Sequence, residues 1–187
     1  MNLKKTVFAL TLTLLILSCG NSEGNSASND ESSQSEQVTS KDVNFNSPCE
    51  LVSSKEIKSI CNVESKYEIV QADKLYTYPT CTFKWEDKKV SQVTSIGGNE
   101  VKYDMPSEVL IVMVSNSTEK MFEQATVVYK DGIDVSVGEK AIWGNKMSQL
   151  TFLAKDYMFH VHLKISNDDS DNKLKAIKVA ELLIGKI

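Results

Sequence analysis

The chain has 187 residues, of which 41% are hydrophobic and 25% charged, and its formal net charge at pH 7 is -4. All 21 of its basic residues other than histidine are lysines, scattered among 25 acidic residues with no basic stripe. Because recognition of phosphates and base edges depends on a basic surface and most often on arginine, this composition argues against nucleic-acid binding.

A short apolar segment at the N-terminus ends in a cysteine. Residues 7–17 follow two lysines and are too few to span a bilayer as a helix. The sequence Ile16-Leu17-Ser18-Cys19 resembles the lipobox of bacterial lipoproteins. The resemblance implies that residues 1–18 are a signal peptide and that Cys19 carries acyl chains that anchor the protein in a membrane. Gly20 resembles the Gram-negative pattern for the outer membrane, so we expect the domain in the periplasm or on the cell surface.

The segment that follows differs in composition from the rest of the chain. Residues 19–46 are dominated by Ser, Asn, Glu and Gln, and almost no aromatic or branched apolar residue occurs before Val38. Such a composition cannot bury enough apolar surface to order itself, so we expect a flexible tether after the acylated cysteine. Residues 47–187 have the length of one ordinary domain and contain no second linker.

The first elements of this domain are predicted from a cap and from alternation. Ser53 and Glu56 have the spacing of a capping box, which predicts a short helix with Ile57 on its buried face. A strand around Tyr67 to Gln71 is expected next. After Pro79, the residues Cys81, Phe83 and Trp85 alternate with polar residues and predict a strand that buries one face.

The later elements are predicted from apolar patterns typical of strands and of helices. Residues 109–114 are apolar at every position, which predicts a central strand covered on both faces. A helix capped by Ser117 is expected to extend to about Tyr129, and a loop is expected over 138–144. Two strands, 149–154 and 157–165, form a hairpin, and a final helix begins at about Asn172.

Helices that bracket a largely antiparallel sheet predict an α+β layered sandwich. Four features of residues 47–187 resemble those of small extracytoplasmic lipoprotein domains of unknown function. They are a cysteine before a capped helix (Pro48-Cys49-Glu50-Leu51), the Cys-x-x-x-Trp strand at 81–85, the Gly-Glu-Lys-Ala-Ile-Trp segment at 138–143, and two closing strands followed by a helix. Many of those domains adopt a PsbP-like sandwich. The resemblance implies the fold and supplies no catalytic residues.

Three cysteines remain in the domain after Cys19. In an oxidising compartment two of them are expected to form a disulfide. We favour Cys49 with Cys81, which joins the start of the domain to an early strand, over Cys49 with Cys61. Under the favoured pairing Cys61 is left as a buried small hydrophobe or a free thiol.

The two histidines of the chain, His160 and His162, fall on one face of a strand. This spacing could supply two ligands to a metal ion, but no third ligand is visible, and a half-buried strand with a polar side explains the pattern more simply. The cysteines show no zinc-type spacing either. We therefore predict no metal and no cofactor.

No motif for nucleophilic, phosphoryl-transfer or metal-dependent catalysis occurs. The leading interpretation is a non-catalytic domain that binds a protein partner or small ligand of the cell envelope through its loops. The loop residues that carry this hypothesis are Tyr76, Tyr78, Gly97, Gly98 and Trp143. Two alternatives remain open: a hydrolase with a pair of carboxylates, whose acids would show raised or split pKa values, and a purely structural envelope protein.

Overall fold

A seven-stranded antiparallel sheet forms the centre of residues 45–187, the part of the chain that the computed structural model describes. The strands are β1 (Val70–Leu75), β2 (Pro79–Ile96), β3 (Asn99–Ser115), β4 (Ile133–Asp134), β5 (Lys140–Gly144), β6 (Gln149–Ala154) and β7 (Tyr157–Lys164). Their order across the sheet is β1-β2-β3-β7-β6-β5-β4, and every neighbouring pair is antiparallel. With its helices, this sheet confirms the predicted α+β class.

Helices cover the two faces of the sheet unequally. They are α1 (Pro48–Leu51), α2 (Ser54–Ile60), α3 (Glu119–Thr126) and α4 (Asp169–Ile184). Side chains from α1, α2 and α4 pack on one face and form the main core; they include Leu51, Ile57, Ala176, Val179 and Leu183. On the other face, α3 covers only one end of the sheet, where Phe122 packs against Val114, Leu153 and Met158. Beyond α3, Tyr129 covers a further part of that face, where its hydroxyl is hydrogen-bonded to the buried Thr151.

The predicted signal peptide, the predicted lipidation site at Cys19 and nearly all of the predicted tether lie outside the described residues. Residues 45–187 all belong to one compact unit. None of the helices in this described part is both long enough and apolar enough to cross a membrane.

The helix caps show which local signals determined the element boundaries. Ser53 and Glu56 form the predicted capping box, with the Ser53 hydroxyl accepting from the Glu56 N–H. In α3 the cap is Thr118, because the Ser117 hydroxyl instead donates to the carbonyl of Val114 at 2.8 Å. Asp168 caps α4, which therefore begins at Asp169, earlier than predicted.

The favoured disulfide is confirmed. Cys49 and Cys81 are bonded, with their Cα atoms 5.1 Å apart, so that α1 is tied directly to β2. The third cysteine, Cys61, is a buried free thiol whose pKa is raised to about 12, mainly by burial. A thiol held in its neutral form is a poor nucleophile, so Cys61 serves as a packing residue.

Three predictions about the strands were wrong. The apolar run 109–114 belongs to a much longer strand, β3, in which Val109, Ile111 and Met113 are fully buried but Leu110 and Val112 are only half-buried. The reason is that α3 covers the second face only near Val114. The predicted loop at 138–144 is mostly strand β5, and the first strand begins at Val70 instead of Tyr67.

Candidate functional site

Part of the β2–β3 hairpin extends beyond the rest of the sheet. β1 pairs only with residues 79–84 of β2, and β7 pairs only with residues 108–115 of β3. Residues 90–96 and 99–105 continue to pair with each other alone. They form a two-stranded arm about 20 Å long at the usual rise of a strand. We call this element the β2–β3 arm.

A buried carboxylate organises the base of the arm. The register between β2 and β3 shifts between Trp85 and Val90, and Asp87 lies inside this bulge. The Asp87 carboxylate accepts hydrogen bonds from Trp85 Nε1 at 2.9 Å and from the Ser107 hydroxyl at 2.6 Å. Because bulges bend a strand and increase its twist, these bonds fix the point at which the arm leaves the sheet.

The arm is unusually apolar for an exposed element. Four of its large apolar side chains are between 41% and 63% exposed: Val93, Ile96, Val101 and Tyr103. The Tyr103 hydroxyl donates to Gln92 Oε1 at 2.8 Å across the arm, which orders the tyrosine side chain. Alternation places Ile96, Val101 and Tyr103 on one face of the arm and the charged residues Glu100, Lys102 and Asp104 on the other.

A shallow groove of about 290 Å³ lies where the arm meets the sheet. It is lined by Lys84, Gln92, Met105, Pro106, Glu108, His162 and Lys164. Lys84 and Glu108 form an ion pair across the groove at 2.5 Å. The groove therefore presents charged side chains of both signs next to the apolar face of the arm.

Gly97 and Gly98, two of the predicted binding residues, form the tip of the arm. Both have positive φ angles, +59° and +84°, and their surroundings leave space where a side chain would stand. Positive φ at both central positions is the geometry of a type I′ hairpin turn, which glycine adopts without strain. The two glycines are thus a turn that closes the arm, with exposed Ile96 beside it.

Tyr76 and Tyr78 lie in the turn between β1 and β2 and are exposed. The structure therefore leaves them accessible, in a different turn from the arm tip. Trp143 is a correction: it lies in β5 with none of its surface exposed, and its Nε1 donates to Asp169 Oδ2 at 3.0 Å. Since its ring packs in the main core, Trp143 cannot line an exposed binding loop.

The two histidines do share a face of β7, but their surroundings differ. His160 Nδ1 is hydrogen-bonded to the Thr151 hydroxyl at 2.8 Å, and the Tyr129 hydroxyl bonds the same Thr151 at 2.9 Å. His162 Nδ1 donates to the carbonyl of Met147 at 2.7 Å. Among residues 45–187, no group of three or more His, Cys, Asp or Glu side chains is arranged to hold a metal ion.

The surroundings of His160 predict a pH-dependent stability. Burial disfavours the imidazolium and lowers the pKa of His160 below 6.5, so the unfolded chain binds the proton more readily than the folded chain. The free energy of unfolding should therefore fall as the pH is lowered from about 7 through 6.5 and below. Urea unfolding at pH 5.5 to 7.5 measures this slope.

One substitution tests the origin of that slope. His160→Gln removes the titrating group and should flatten the dependence on pH in this range. An unchanged slope in His160→Gln would contradict the assignment.

The arm was not predicted from the sequence. Gly97 and Gly98 were recognised as loop residues, and the strands on either side were overlooked. Two signals were available: the glycine pair, which is typical of a type I′ turn, and the alternation of Val101 and Tyr103 with charged residues.

Comparisons with known proteins add no relative: no protein-family model, no curated protein and no solved structure matches this chain.

Proposed function

We propose that this chain is a lipid-anchored, extracytoplasmic protein that binds a protein partner in the cell envelope through the β2–β3 arm. In this proposal Cys19 holds the molecule in a membrane, residues 20–46 are the tether, and the α+β domain has no catalytic role. The membrane is the outer membrane of a Gram-negative bacterium, with the domain in the periplasm or on the surface. The same proposal includes that the α+β domain is a PsbP-like sandwich.

Two features support the compartment. The lipobox-like sequence 16–19 is followed by a tether-like composition, as expected for a domain held away from a membrane. The Cys49–Cys81 disulfide joins two elements of the core, and such bonds persist mainly in compartments outside the cytoplasm.

The observation that carries the binding role is the arm itself. It combines four exposed apolar side chains, on Val93, Ile96, Val101 and Tyr103, with backbone edges that the rest of the sheet does not cover. Edges of this kind accept an additional strand, with main-chain hydrogen bonds for affinity and alternate side chains for specificity. Exposed apolar surface next to such an edge favours a protein partner over a small ligand.

Glu56 does not fit the hydrolase alternative. Its pKa is lowered to about 2, chiefly by the hydrogen bond from Lys186. A general acid needs the opposite shift.

Site-specific crosslinking in intact cells tests the proposed function. A photoreactive amino acid at Val101, on the arm, should give a discrete crosslinked species from the full chain. The matched control is the same amino acid at Leu174, which is 54% exposed on α4. Equal capture at the two positions, or no capture at Val101, would contradict a binding role for the arm.

The lipid anchor has its own test. Cells fed an alkyne analogue of palmitate should label the wild-type chain and leave Cys19→Ala unlabelled and out of the membrane fraction, because the acyl chains are attached through residue 19. Cys61→Ala is the matched control and should label normally, since Cys61 is buried in the folded domain. Labelling of Cys19→Ala at the wild-type level would overturn the anchor.

A further inference from the structure

The longest uncovered stretch of backbone on the β2–β3 arm is one edge of β3. β7 pairs with β3 only from Glu108 onward, so residues 99–107 have β2 on one side and no strand on the other. Within the described part of the chain, no hydrogen bond joins the outer side of this stretch to another segment. The edge of β2 is less free, because the Ser91 N–H donates to Asn167 Oδ1 at 3.2 Å and Asn167 Nδ2 donates to the Ser91 hydroxyl at 3.1 Å.

The pairing of β7 shows which residues of β3 direct their backbone outward. The N–H of Leu163 donates toward β6, to the carbonyl of Ser148, so its partner Val109 directs its backbone groups toward β2. Because the direction alternates along a strand, residues 100, 102, 104 and 106 face the free edge. Pro106 falls in this outward set, where its missing N–H interrupts no bond to β2.

The free edge is self-complementary. Its midpoint is Tyr103, and antiparallel pairing of two copies about that residue spans 99–107, with Pro106 opposite Glu100 and supplying no N–H to the new pairing. This register sets Lys102 of each copy opposite Asp104 of the other, with opposite charges in directly facing positions. On the other face of the arm it sets Val101 opposite Met105 and the two Tyr103 side chains opposite each other.

Neighbouring registers are worse. Centring the pairing on Lys102 puts lysine against lysine and Glu100 against Asp104, and centring it on Asp104 puts aspartate against aspartate. Like charges in facing positions destabilise a pair of strands. Centring on Val101 keeps opposite charges together but leaves Met105 and the residues after it unpaired. The facing charges and the number of paired residues therefore both favour the register centred on Tyr103.

We propose that the partner of the arm is a second copy of this chain, docked antiparallel along residues 99–107 of β3 with Tyr103 on the two-fold axis. The inference rests on the proposed function, because it names the partner of that same arm. The two sheets then join through their β3 strands, and the apolar faces of the two arms, with Val101 and Tyr103 of each copy, become continuous. An interface between copies buries side chains that are exposed in the single chain.

Disulfide trapping of the full chain tests this geometry. In the proposed register the two Tyr103 residues form a pair without backbone hydrogen bonds, whose Cα atoms lie about 4.5 Å apart, within the range that a disulfide can bridge. Tyr103→Cys should therefore give a covalent dimer under mild oxidation, with the 103–103 linkage identified by mass spectrometry of peptides. The matched control is Val93→Cys, which is exposed on β2 and should remain monomeric.

Charge reversal provides a second measurement that does not depend on an added cysteine. Asp104→Lys places lysine opposite lysine and should reduce the dimer seen by sedimentation of the full chain in detergent. The exchange Lys102→Asp with Asp104→Lys restores opposite charges and should recover it. Failure of the exchange to recover the dimer, with both variants folded by circular dichroism, would overturn the register.

The outcomes separate this inference from the proposed function. If Tyr103→Cys gives no 103–103 linkage but the photoreactive residue at 101 captures a different protein, the second copy is overturned and the binding role of the arm stands. If neither experiment captures anything, both the second copy as partner and the binding role of the arm are overturned. If Val93→Cys crosslinks as efficiently as Tyr103→Cys, the contact is not along β3 and the proposed dimer is wrong.

Discussion

Replacing Cys49 and Cys81 together by alanine should lower the free energy of unfolding by about 3 to 4 kcal/mol. The two cysteines are 32 residues apart in sequence, and in the chain-entropy model a crosslink of that length removes about this much freedom from the unfolded chain. Urea unfolding followed by tryptophan fluorescence measures the loss, since Trp85 and Trp143 are both buried and report on the core.

Reduction supplies the control for this prediction. A reductant should destabilise the wild-type chain and the Cys61→Ala variant, both of which keep the disulfide, and should not affect the double variant. A double variant as stable as the wild type would show that the α1–β2 connection is held by packing alone.

Replacing Trp143 by alanine should cost about 3 to 5 kcal/mol of stability, as large-to-small substitutions of fully buried aromatic residues do. The ring contributes the largest of the fully buried side chains, and its Nε1 is a hydrogen-bond donor to Asp169 at the start of α4. The variant therefore loses core packing and also leaves one carboxylate oxygen of Asp169 without its donor. Thermal unfolding followed by circular dichroism measures the change.

Two further variants distinguish packing from surface binding. Trp143→Phe keeps most of the packing but loses the hydrogen bond, so its cost should be smaller than that of alanine. Tyr76→Ala removes an exposed ring and should change the stability by no more than about 0.5 kcal/mol. If Trp143→Ala were as stable as the wild type and failed only in binding, the interpretation of Trp143 as a binding residue would be reinstated.

Local signals predicted much of the fold. The Ser53 and Glu56 capping box and the strand of Cys81, Phe83 and Trp85 depend on side chains within a few positions of one another, and the structure contains both. The hairpin of 149–154 and the following strand was also predicted, because alternation and a short turn define it. Such features need no knowledge of distant parts of the chain.

Distant contacts explain the failures. Leu110 and Val112 are as apolar as their neighbours in β3, but whether both faces are covered depends on where α3 packs, which the strand itself does not encode. Trp143 has glycines nearby in sequence and was assigned to a loop, whereas β6 pairs with its segment and α4 covers the ring. The two possible disulfide pairings could be ranked from the sequence, but only the packing of α1 against β2 decided between them.

The sequence alone determined the α+β class, the capping box of α2, the first part of β2, the hairpin of β6 and β7 and the expectation of a lipid anchor at Cys19, because these depend on periodicity and on short motifs. Only the tertiary structure decided that β2 and β3 run past their neighbours. The backbone edge of residues 99–107 is free because β7 ends at Lys164, and Val101 and Tyr103 are exposed on this part of β3. The candidate interaction site follows from that difference in strand length, which is a property of the assembled sheet.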